Sequence, residues 1–288
     1  ITVIDTMWFG NYLKKNSGLK IIKRDIRKLN NFSFQGFDTI VHLANIANDP
    51  SAELNSALSW EVNVLASQQI IDNAYKQGVK HFIFASSGSV YGIKKEKKVT
   101  EDLSCDPLTT YNKTKMVAEN IFLNYKNKMQ IHCIRPATVC GVSPRLRLDV
   151  SVNLLTHQAI KNKIINVHGG SQIRPNIHIN DLINVYLHFI KKPFLNSGCY
   201  NAGFENLSIL EIAEKIQKKT GCKINITKNT NDPRSYRQSS EKLLKTDFKP
   251  EFGVDQAIKE LIKKFREKTF IESDQNFTVL WMKKMKIK

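Results

Sequence analysis

Asp38-Thr39-Ile40-Val41-His42-Leu43-Ala44 is an almost continuous apolar stretch that predicts a strand. Parallel strands buried on both faces have sequences of this kind, whereas a strand with one solvated face alternates apolar and polar residues. A similar stretch at residues 81–87 follows a segment with helical periodicity over residues 53–77. Strands that alternate with helices form parallel sheets with right-handed crossovers. The sequence therefore predicts an α/β protein with a doubly wound parallel sheet.

Further strands are predicted at residues 1–5, 19–23 and 131–135, and a helix at residues 111–125. Ligands of such sheets bind beyond the carboxyl ends of the strands. The residues at or just beyond those ends are Asp5, Asp25, Ala44, Ser87 and Pro136. We expect the candidate site residues to gather along this edge.

After Gly141 the pattern changes to that of a smaller α+β lobe. Helices are predicted at 148–161, 178–190, 208–220 and 254–268, and strands at 164–167, 199–201 and 223–227. Ser208 and Glu211 form a capping-box pattern at the start of one helix. Because no low-complexity linker separates the two parts, the second lobe should pack directly on the first.

Composition excludes several classes of protein. The 288 residues contain five scattered cysteines, which favours reduced thiols in the cytoplasm over a disulfide framework or a zinc site. No apolar run approaches the roughly 18 residues of a membrane span. The net charge of +18 comes from lysines spread along the chain. The chain has no nucleic-acid-binding motif, so we interpret this charge only as a general attraction to anionic ligands.

Tyr111 and Lys115 are four residues apart and would share one face of the predicted helix. A tyrosine hydroxyl has a pKa near about 10 and is a poor base at neutral pH. One ammonium about 4 Å away contributes roughly 4 kcal/mol at an effective dielectric of ~20, or about three pKa units. Such a pair can make an acid/base catalyst, although surface pairs at this spacing also occur by chance.

Several motifs occur in one order along nearly the whole chain. They are His42-Leu43-Ala44, Asn63-Val64, residues 86–92, Thr100-Glu101-Asp102, Tyr111-x-x-x-Lys115 with Glu119, Arg135-Pro136, residues 174–182 and Tyr200-Asn201-Ala202-Gly203. In these motifs the chain resembles the extended short-chain dehydrogenase/reductases, in the nucleotide-sugar epimerase/dehydratase branch related to UDP-glucose 4-epimerase. The resemblance implies a Rossmann-type sheet and assigns Tyr111 a catalytic role.

One departure from the family concerns the beginning of the chain. The family opens with a strand, a Gly-x-x-Gly-x-x-Gly turn and a helix, whose backbone amides hold the cofactor pyrophosphate. Ile1 instead lies where the second strand of the family would be. We expect an N-terminal truncation of one strand-turn-helix unit, which would weaken or abolish cofactor binding.

The resemblance implies NAD as cofactor, because Asp5 would bind the adenosine ribose and repel the extra phosphate of NADP. Asp25 and Ile26 would flank the adenine, and Leu43 and Ala44 would lie at the ribose-phosphate region. Pro136 and Val139 would border the nicotinamide, and Tyr111 and Lys115 would also contact the cofactor. Asn63 would line the cofactor cleft, or alternatively fix a loop.

The resemblance also implies the reaction. Tyr111 would take a proton from a sugar hydroxyl while the sugar carbon gives a hydride to NAD⁺, with Ser87 and Lys115 as the other catalytic residues. Rotation of the keto-sugar and return of the hydride would give epimerisation. Gly88 and Ser89 stand where dehydratases of the family carry an acidic pair, which disfavours dehydration. The alternatives are a 4-reductase, which would need NADPH, and an inactive truncated chain that binds sugar nucleotides.

The implied substrate is a nucleoside-diphosphate sugar. Its predicted ligands are Ser87, Ser89, Asn153, Arg174 and Arg234. Arg145 and Arg147 could be solvated loop charges or a substrate clamp. His42 and His178 lack metal-ligand spacing and are predicted to be structural, with no metal.

The predicted domain division follows the resemblance. Residues 1–141 would form the NAD-binding domain and residues 142–288 mainly the substrate lobe, with residues 173–203 returning to the first domain. The resemblance implies a homodimer through the helices near residues 60–77 and 111–126, and no nucleic-acid or membrane partner.

Overall fold

The computed structural model describes residues 1–227, 235–267 and 269–287. Its strands are β1 Thr2–Asp5, β2 Lys20–Lys23, β3 Thr39–His42, β4 His81–Ala85, β5 Gln130–Pro136, β6 Thr138–Cys140, β7 Ile164–His168, β8 Ile173–His178, β9 Gly198–Ala202, β10 Glu205–Ser208 and β11 Lys223–Thr227. Its helices are α1 Asp49–Leu54, α2 Ser56–Trp60, α3 Ser67–Lys76, α4 Thr110–Leu123, α5 Ser151–Asn162, α6 Ile179–Lys191, α7 Ile209–Thr220, α8 Glu241–Leu244, α9 Val254–Arg266 and α10 Thr278–Lys284.

The main sheet has the strand order β3-β4-β5-β9, and all its pairs are parallel. Alternate residues of β4 are buried on opposite faces. Phe82 and Phe84 pack in the cluster that contains α3 and α4, whereas Ile83 packs in the cluster that contains α6. Because both faces are covered, the strand has the continuous apolar sequence from which the fold was predicted. The predicted α/β fold with a doubly wound parallel sheet is confirmed.

β1 and β2 form a separate parallel pair, in which Asp5 lies opposite Lys23. Side-chain packing connects this pair to the rest of the first part of the chain, since Ile4 packs against the same core cluster as Phe82 and Phe84. The carboxyl end of β1 thus faces the same side of the molecule as the loop after β3, and Asp5 and Ala44 line one small cavity there.

The helix predicted over residues 53–77 is interrupted. Asn55 ends α1 and caps α2, and residues Glu61–Ala66 form a π-helical turn between α2 and α3. Within that turn Asn63 binds the backbone of Ile46, with N···Oδ1 and Nδ2···O distances of 2.7 and 3.1 Å. π turns inside helices depend on such tertiary contacts, which helical periodicity does not reveal.

The second part of the chain has its own core, formed by α5, α7 and α9 over β7 and β11. The capping box of Ser208 and Glu211 is present at the start of α7, as predicted. Three short strands were missed, namely β6, β8 and β10, which form a small sheet in the order β10-β8-β6. β9, by contrast, pairs with β5 in the main sheet. The division of the chain near residue 141 stays a prediction.

Within the described ranges, every helix is too short or too polar to cross a membrane.

Candidate active site

The carboxyl end of β4 and the first turn of α4 bring the candidate catalytic residues together. Ser87 ends the extended segment and caps the 3₁₀ turn Gly88–Tyr91 by accepting from the amide of Ser89. Thr109 caps α4 in the same way, and its hydroxyl donates to Asp49 Oδ1 at 2.5 Å. Tyr111 is therefore held in the first turn of a helix whose start is fixed by both a cap and a side-chain contact.

A chain of hydrogen bonds runs from Tyr111 into the protein. Ser87 hydrogen-bonds to Tyr111, and the Ser87 and Ser89 Oγ atoms are 2.7 Å apart. Ser89 Oγ donates to Asn112 Oδ1 at 2.5 Å. Both serine hydroxyls can rotate and can donate or accept. This chain can therefore respond to either charge state of the tyrosine. Sequence reasoning missed Asn112, although it directly follows Tyr111.

The pKa of Tyr111 is higher than that of an ordinary tyrosine. Burial raises it to about 12, against opposing contributions from the Ser87 hydrogen bond and the Arg147 charge, while Asp49 raises it further. The expected lowering of this pKa by Lys115, with an ammonium about 4 Å from the hydroxyl, stays a prediction.

The contacts of Lys115 fix the position of its ammonium. Its side chain is 1% exposed, and Nζ donates to the carbonyl oxygen of Ala85 at 2.6 Å. Nζ lies 4.6 Å from the ring centroid of Phe84 and 5.8 Å from that of Tyr111. Burial lowers the pKa of Lys115 to about 7, against the opposing charge of Glu119. The ammonium is thus directed at the end of β4 and lies near the tyrosine ring.

A buried ion pair fixes α4 against β5. Arg135 makes two contacts with Glu119, Nε···Oε1 at 2.9 Å and Nη2···Oε2 at 2.7 Å, and donates to Tyr91 Oη at 2.7 Å. Ser86 also hydrogen-bonds to Glu119. Because Arg135 precedes Pro136 and Ser86 precedes Ser87, this network sets the positions of two strand ends at the site.

A cavity of about 1030 Å³ lies in front of Tyr111. Most of the residues predicted to contact the substrate or the nicotinamide line it: Ser87, Ser89, Tyr111, Pro136, Val139, Asn153 and Arg174. The structure thus brings together residues that are up to 87 positions apart in the chain. Arg234, the remaining predicted substrate ligand, lies outside the described residues.

Three positive side chains are part of the lining of this cavity. Arg145, Arg147 and Arg174 all line it. Arg147 pairs with Asp149 at 2.8 Å and is close enough to Tyr111 to lower its pKa. Asn153 holds the loop in front of these arginines, since its Nδ2 donates to the carbonyl oxygen of Arg147 at 2.9 Å. An anionic ligand is therefore favoured in the cavity.

A second, smaller cavity of about 160 Å³ lies beyond the ends of β1, β2 and β3. The predicted adenosine-side residues line it: Asp5, Asp25, Ile26, Leu43 and Ala44. Asp25 already binds Arg27 at 2.8 Å, and Arg27 holds its pKa below the usual value against the effect of burial. Asp5 accepts from the amide of Met7 and keeps its carboxylate exposed.

Two predicted site residues lie behind the cavities. Asn63 is 1% exposed and binds Ile46 and Thr114, which corresponds to the loop-fixing alternative. Lys115 is likewise buried and does not line the large cavity.

The two histidines that were predicted to be structural lie in helix and strand contacts. His178 caps α6 and contacts Glu260 at 3.1 Å, and His42 contacts Ser67 at 2.8 Å. Both histidines make structural contacts.

Comparison with known proteins links this site to one family. A family model described as "NAD dependent epimerase/dehydratase family" matches residues 7–203. An uncharacterized UDP-glucose epimerase, YtcB, of Bacillus subtilis (strain 168) is 32% identical over 194 residues, which are 66% of this chain and 60% of that protein. UDP-glucose 4-epimerase 2 of Oryza sativa subsp. japonica is 27% identical over 258 residues, 78% of this chain and 62% of that protein. The chain thus spans about 60% of the length of these two relatives.

Among solved structures, UDP-glucuronic acid 4-epimerase from Bacillus cereus is similar to this chain. It was determined in complex with UDP-glucuronic acid and NAD. The TM-score is 0.76 at 26% identity, and the match covers 87% of this chain and 82% of the other. The match extends past residue 203 into the second part of the chain.

Proposed function

The chain belongs to the NAD dependent epimerase/dehydratase family, and on that basis we propose that it is an NAD-dependent epimerase of a nucleoside-diphosphate sugar. One observation carries the proposal: Tyr111 and Ser87 line the same cavity of about 1030 Å³ as three arginines, Arg145, Arg147 and Arg174. An acid/base group thus shares a cavity with side chains suited to a diphosphate, because guanidinium groups bind phosphate oxygens in pairs.

The smaller cavity supports NAD as the cofactor. Asn45 lines it, and the Oδ1 atom of this residue is buried without a hydrogen-bond partner among the described residues. The buried acceptor of Asn45 suits the amino group of an adenosine, and the exposed carboxylate of Asp5 suits its ribose. The apolar walls of the cavity suit the adenine ring. We propose that Asp5, Asp25, Ile26, Leu43 and Ala44 bind the adenosine side. Pro136, Val139, Tyr111 and Lys115 would bind the nicotinamide side.

NAD, when bound, accepts a hydride from a sugar carbon and returns it. The side chains of the protein move the proton that leaves the sugar hydroxyl when the hydride is transferred. The O–H bond of the sugar hydroxyl breaks as its proton passes to Tyr111, and the same proton returns when the hydroxyl is restored. Ser87 binds the sugar oxygen and Tyr111 together, so the proton is transferred over a short distance. Oxidation and reduction cancel over one cycle, which leaves only the configuration at the carbon changed.

Position 88 supports epimerisation over dehydration. The first carbon of any side chain at Gly88 would lie 3.1 Å from both Gln238 Oε1 and Tyr236 Oη. A side chain there would therefore require Gln238 and Tyr236 to shift by a few tenths of an ångström. Ser89, at the other position, already donates to Asn112. Neither position supplies the acid or base that removal of water requires.

Substrate contacts follow from the large cavity. We propose that Ser87 and Ser89 contact the sugar and that Asn153 and Arg174 contact the diphosphate, with Arg234 as a further ligand outside the described residues. Arg147 lies near Tyr111, so it would meet the sugar end of the substrate. A positive group there favours a sugar that carries a negative charge. UDP-glucuronic acid, the ligand of the Bacillus cereus relative, therefore belongs in any substrate panel.

The test is a direct assay of the full-length protein with UDP-glucose, UDP-N-acetylglucosamine and UDP-glucuronic acid. We expect one of them to be converted into its epimer, detected by chromatography and NMR, with no net change in NADH absorbance. Net consumption of NADPH would instead support the 4-reductase alternative. Absence of turnover with every sugar, in protein that binds NAD, would contradict the proposal.

We also propose a homodimer through the helices near residues 60–77 and 111–126. Trp60 and Leu65 lie on this surface and are 38% and 60% exposed. Large exposed apolar side chains are typical of interfaces. A monomeric mass in sedimentation equilibrium at micromolar concentration would contradict the dimer.

A further inference from the structure

The C-terminal arm, which we define as residues 273–284, lies outside the residues that the family model matches. It consists of a 3₁₀ turn, Asp274–Asn276, followed by α10. Five of its residues line the large cavity: Phe277, Thr278, Val279, Leu280 and Lys283. The arm is therefore one wall of the candidate site.

Hydrogen bonds fix the arm to the second part of the chain. The Nδ2 atom of Asn276 donates to the carbonyl oxygen of Leu146 at 2.7 Å. The backbone carbonyl oxygen of Asn276 accepts from the amide of Leu148 at 2.8 Å. The amide of Thr278 donates to Asp149 Oδ2 at 2.9 Å. These bonds hold the arm to the loop that also carries Arg145 and Arg147.

The other end of the arm is fixed to the first part of the chain. Trp281 Nε1 donates to the carbonyl oxygen of Trp8 at 2.6 Å, and Met282 is 3% exposed in the core cluster of that part. Arg145 connects the two ends, since its guanidinium donates to Thr278 Oγ1 at 3.0 Å and stacks 3.6 Å from the ring centroid of Phe9. The position of α10 over the cavity is thus set from both sides.

This position gives α10 a defined cavity face. Val279 and Lys283 are four residues apart and Leu280 and Lys283 three apart, so all three lie on one face. The neighbouring Lys284 is paired with Asp274 at 2.7 Å. Within the described part of the chain, no carboxylate pairs with Lys283. Lys283 lines the same cavity as Arg145, Arg147 and Arg174, of which Arg147 is paired with Asp149.

We propose that the C-terminal arm is part of the ligand site and that Lys283 binds the diphosphate of a bound nucleotide. This inference rests on the proposed function. Lys283 lines the cavity beside guanidinium groups and has no carboxylate partner among the described residues, so its ammonium is suited to the negative charge of a diphosphate. The diphosphate can belong to the sugar nucleotide or to the dinucleotide, and the experiment below distinguishes them.

The test measures binding of UDP and, separately, of NAD to the full-length protein by calorimetry. The Lys283→Ala variant is expected to bind one of the two about 10-fold more weakly, with a shallower salt dependence of the dissociation constant. The matched control is Lys218→Ala, which removes the same charge from an exposed position on α7. It should bind both ligands as the wild type does. The Lys283→Arg variant should recover at least part of the lost affinity.

Each result has one interpretation. Weaker binding of UDP alone assigns Lys283 to the sugar nucleotide, and weaker binding of NAD alone assigns it to the dinucleotide. Unchanged affinity for both ligands in Lys283→Ala overturns this inference and leaves the proposed function intact. If the melting temperature of ligand-free Lys283→Ala falls far enough to account for the weaker binding, the role of Lys283 is structural. That result would also overturn this inference. Wild-type protein that binds neither ligand would overturn both proposals.

Discussion

Replacing Tyr111 with phenylalanine is expected to lower kcat for epimerisation by about 10²–10⁴-fold, the usual contribution of a positioned acid/base group. The substitution removes only the hydroxyl, and the ring can keep its place above the first turn of α4. The affinity for UDP should therefore stay close to that of the wild type. The measurement is steady-state turnover of the accepted sugar nucleotide, with UDP binding determined in parallel.

The pH profile adds a second readout for Tyr111. Because burial raises its pKa to about 12, the hydroxyl of the free enzyme is protonated at neutral pH. A tyrosine that must lose its proton to act as a base gives a kcat/KM that rises with pH, since kcat/KM reports the free enzyme. We expect this rise between about pH 7 and about pH 9 in the wild type, and a flat profile in the residual activity of Tyr111→Phe.

Tyr125→Phe is the matched control, because it removes a tyrosine hydroxyl from the segment directly after α4. That hydroxyl contacts Asp72, and Tyr125 lines neither of the two cavities. Turnover should match that of the wild type. Wild-type kcat in Tyr111→Phe, or equal losses in both variants, would refute the catalytic role of Tyr111.

The fold was largely predictable because its strands are buried on both faces. The apolar runs of β3, β4 and β5 follow directly from that burial, and helices fill the spaces between them. The strands that were missed are of another kind. β8 contains Pro175, and β6 has three residues, so neither has a sequence typical of strands. They exist because β8 lies between β6 and β10, a relation between distant parts of the chain.

The candidate site also contains some features that could be predicted from the sequence and others that could not. The placement of Ser87 just beyond β4 could be predicted from the strand pattern, and Tyr111 could be predicted as a candidate from its spacing to Lys115 and from the family motif. The direction of the Lys115 side chain could not, since it depends on the carbonyl of Ala85 across the α4–β4 contact. The role of the C-terminal arm was equally hidden. Its contacts with Trp8 join positions 273 residues apart, and the short α10 has too few residues for a clear pattern.

Replacing Lys115 with methionine is expected to abolish most of the activity and yet to raise the stability of the fold. Methionine fills a similar volume and removes a charge from a site that is 1% exposed. Burial lowers the pKa of Lys115 from 10.5 to about 7, which means that the folded state disfavours its charged form. Glu119 keeps its ion pair with Arg135 in the variant, so the substitution leaves no buried carboxylate unpaired.

The stabilisation should depend on pH in a defined direction. Below about pH 7 the wild-type lysine is charged in both states, and the folded state bears the whole penalty. Between about pH 7 and 10.5 the unfolded chain holds a proton that the folded chain has released, so wild-type stability rises with pH. The advantage of methionine is therefore greatest at low pH. It should shrink by about 2–3 kcal/mol between pH 6 and pH 9, because each pKa unit corresponds to about 1.4 kcal/mol.

Thermal unfolding at pH 6 and pH 9 measures this difference, with an expected change of about 5–10 °C in the advantage of the variant between the two pH values. Lys113→Met on the same helix is the control, since that lysine is exposed and should show no such dependence. A Lys115→Met variant that is less stable than the wild type at pH 6 would show that the ammonium stabilises the fold. Its burial would then be explained by packing with Ala85 and Phe84. A stabilised but inactive variant would instead mean that the buried lysine is retained for the reaction, at a cost to the stability of the fold.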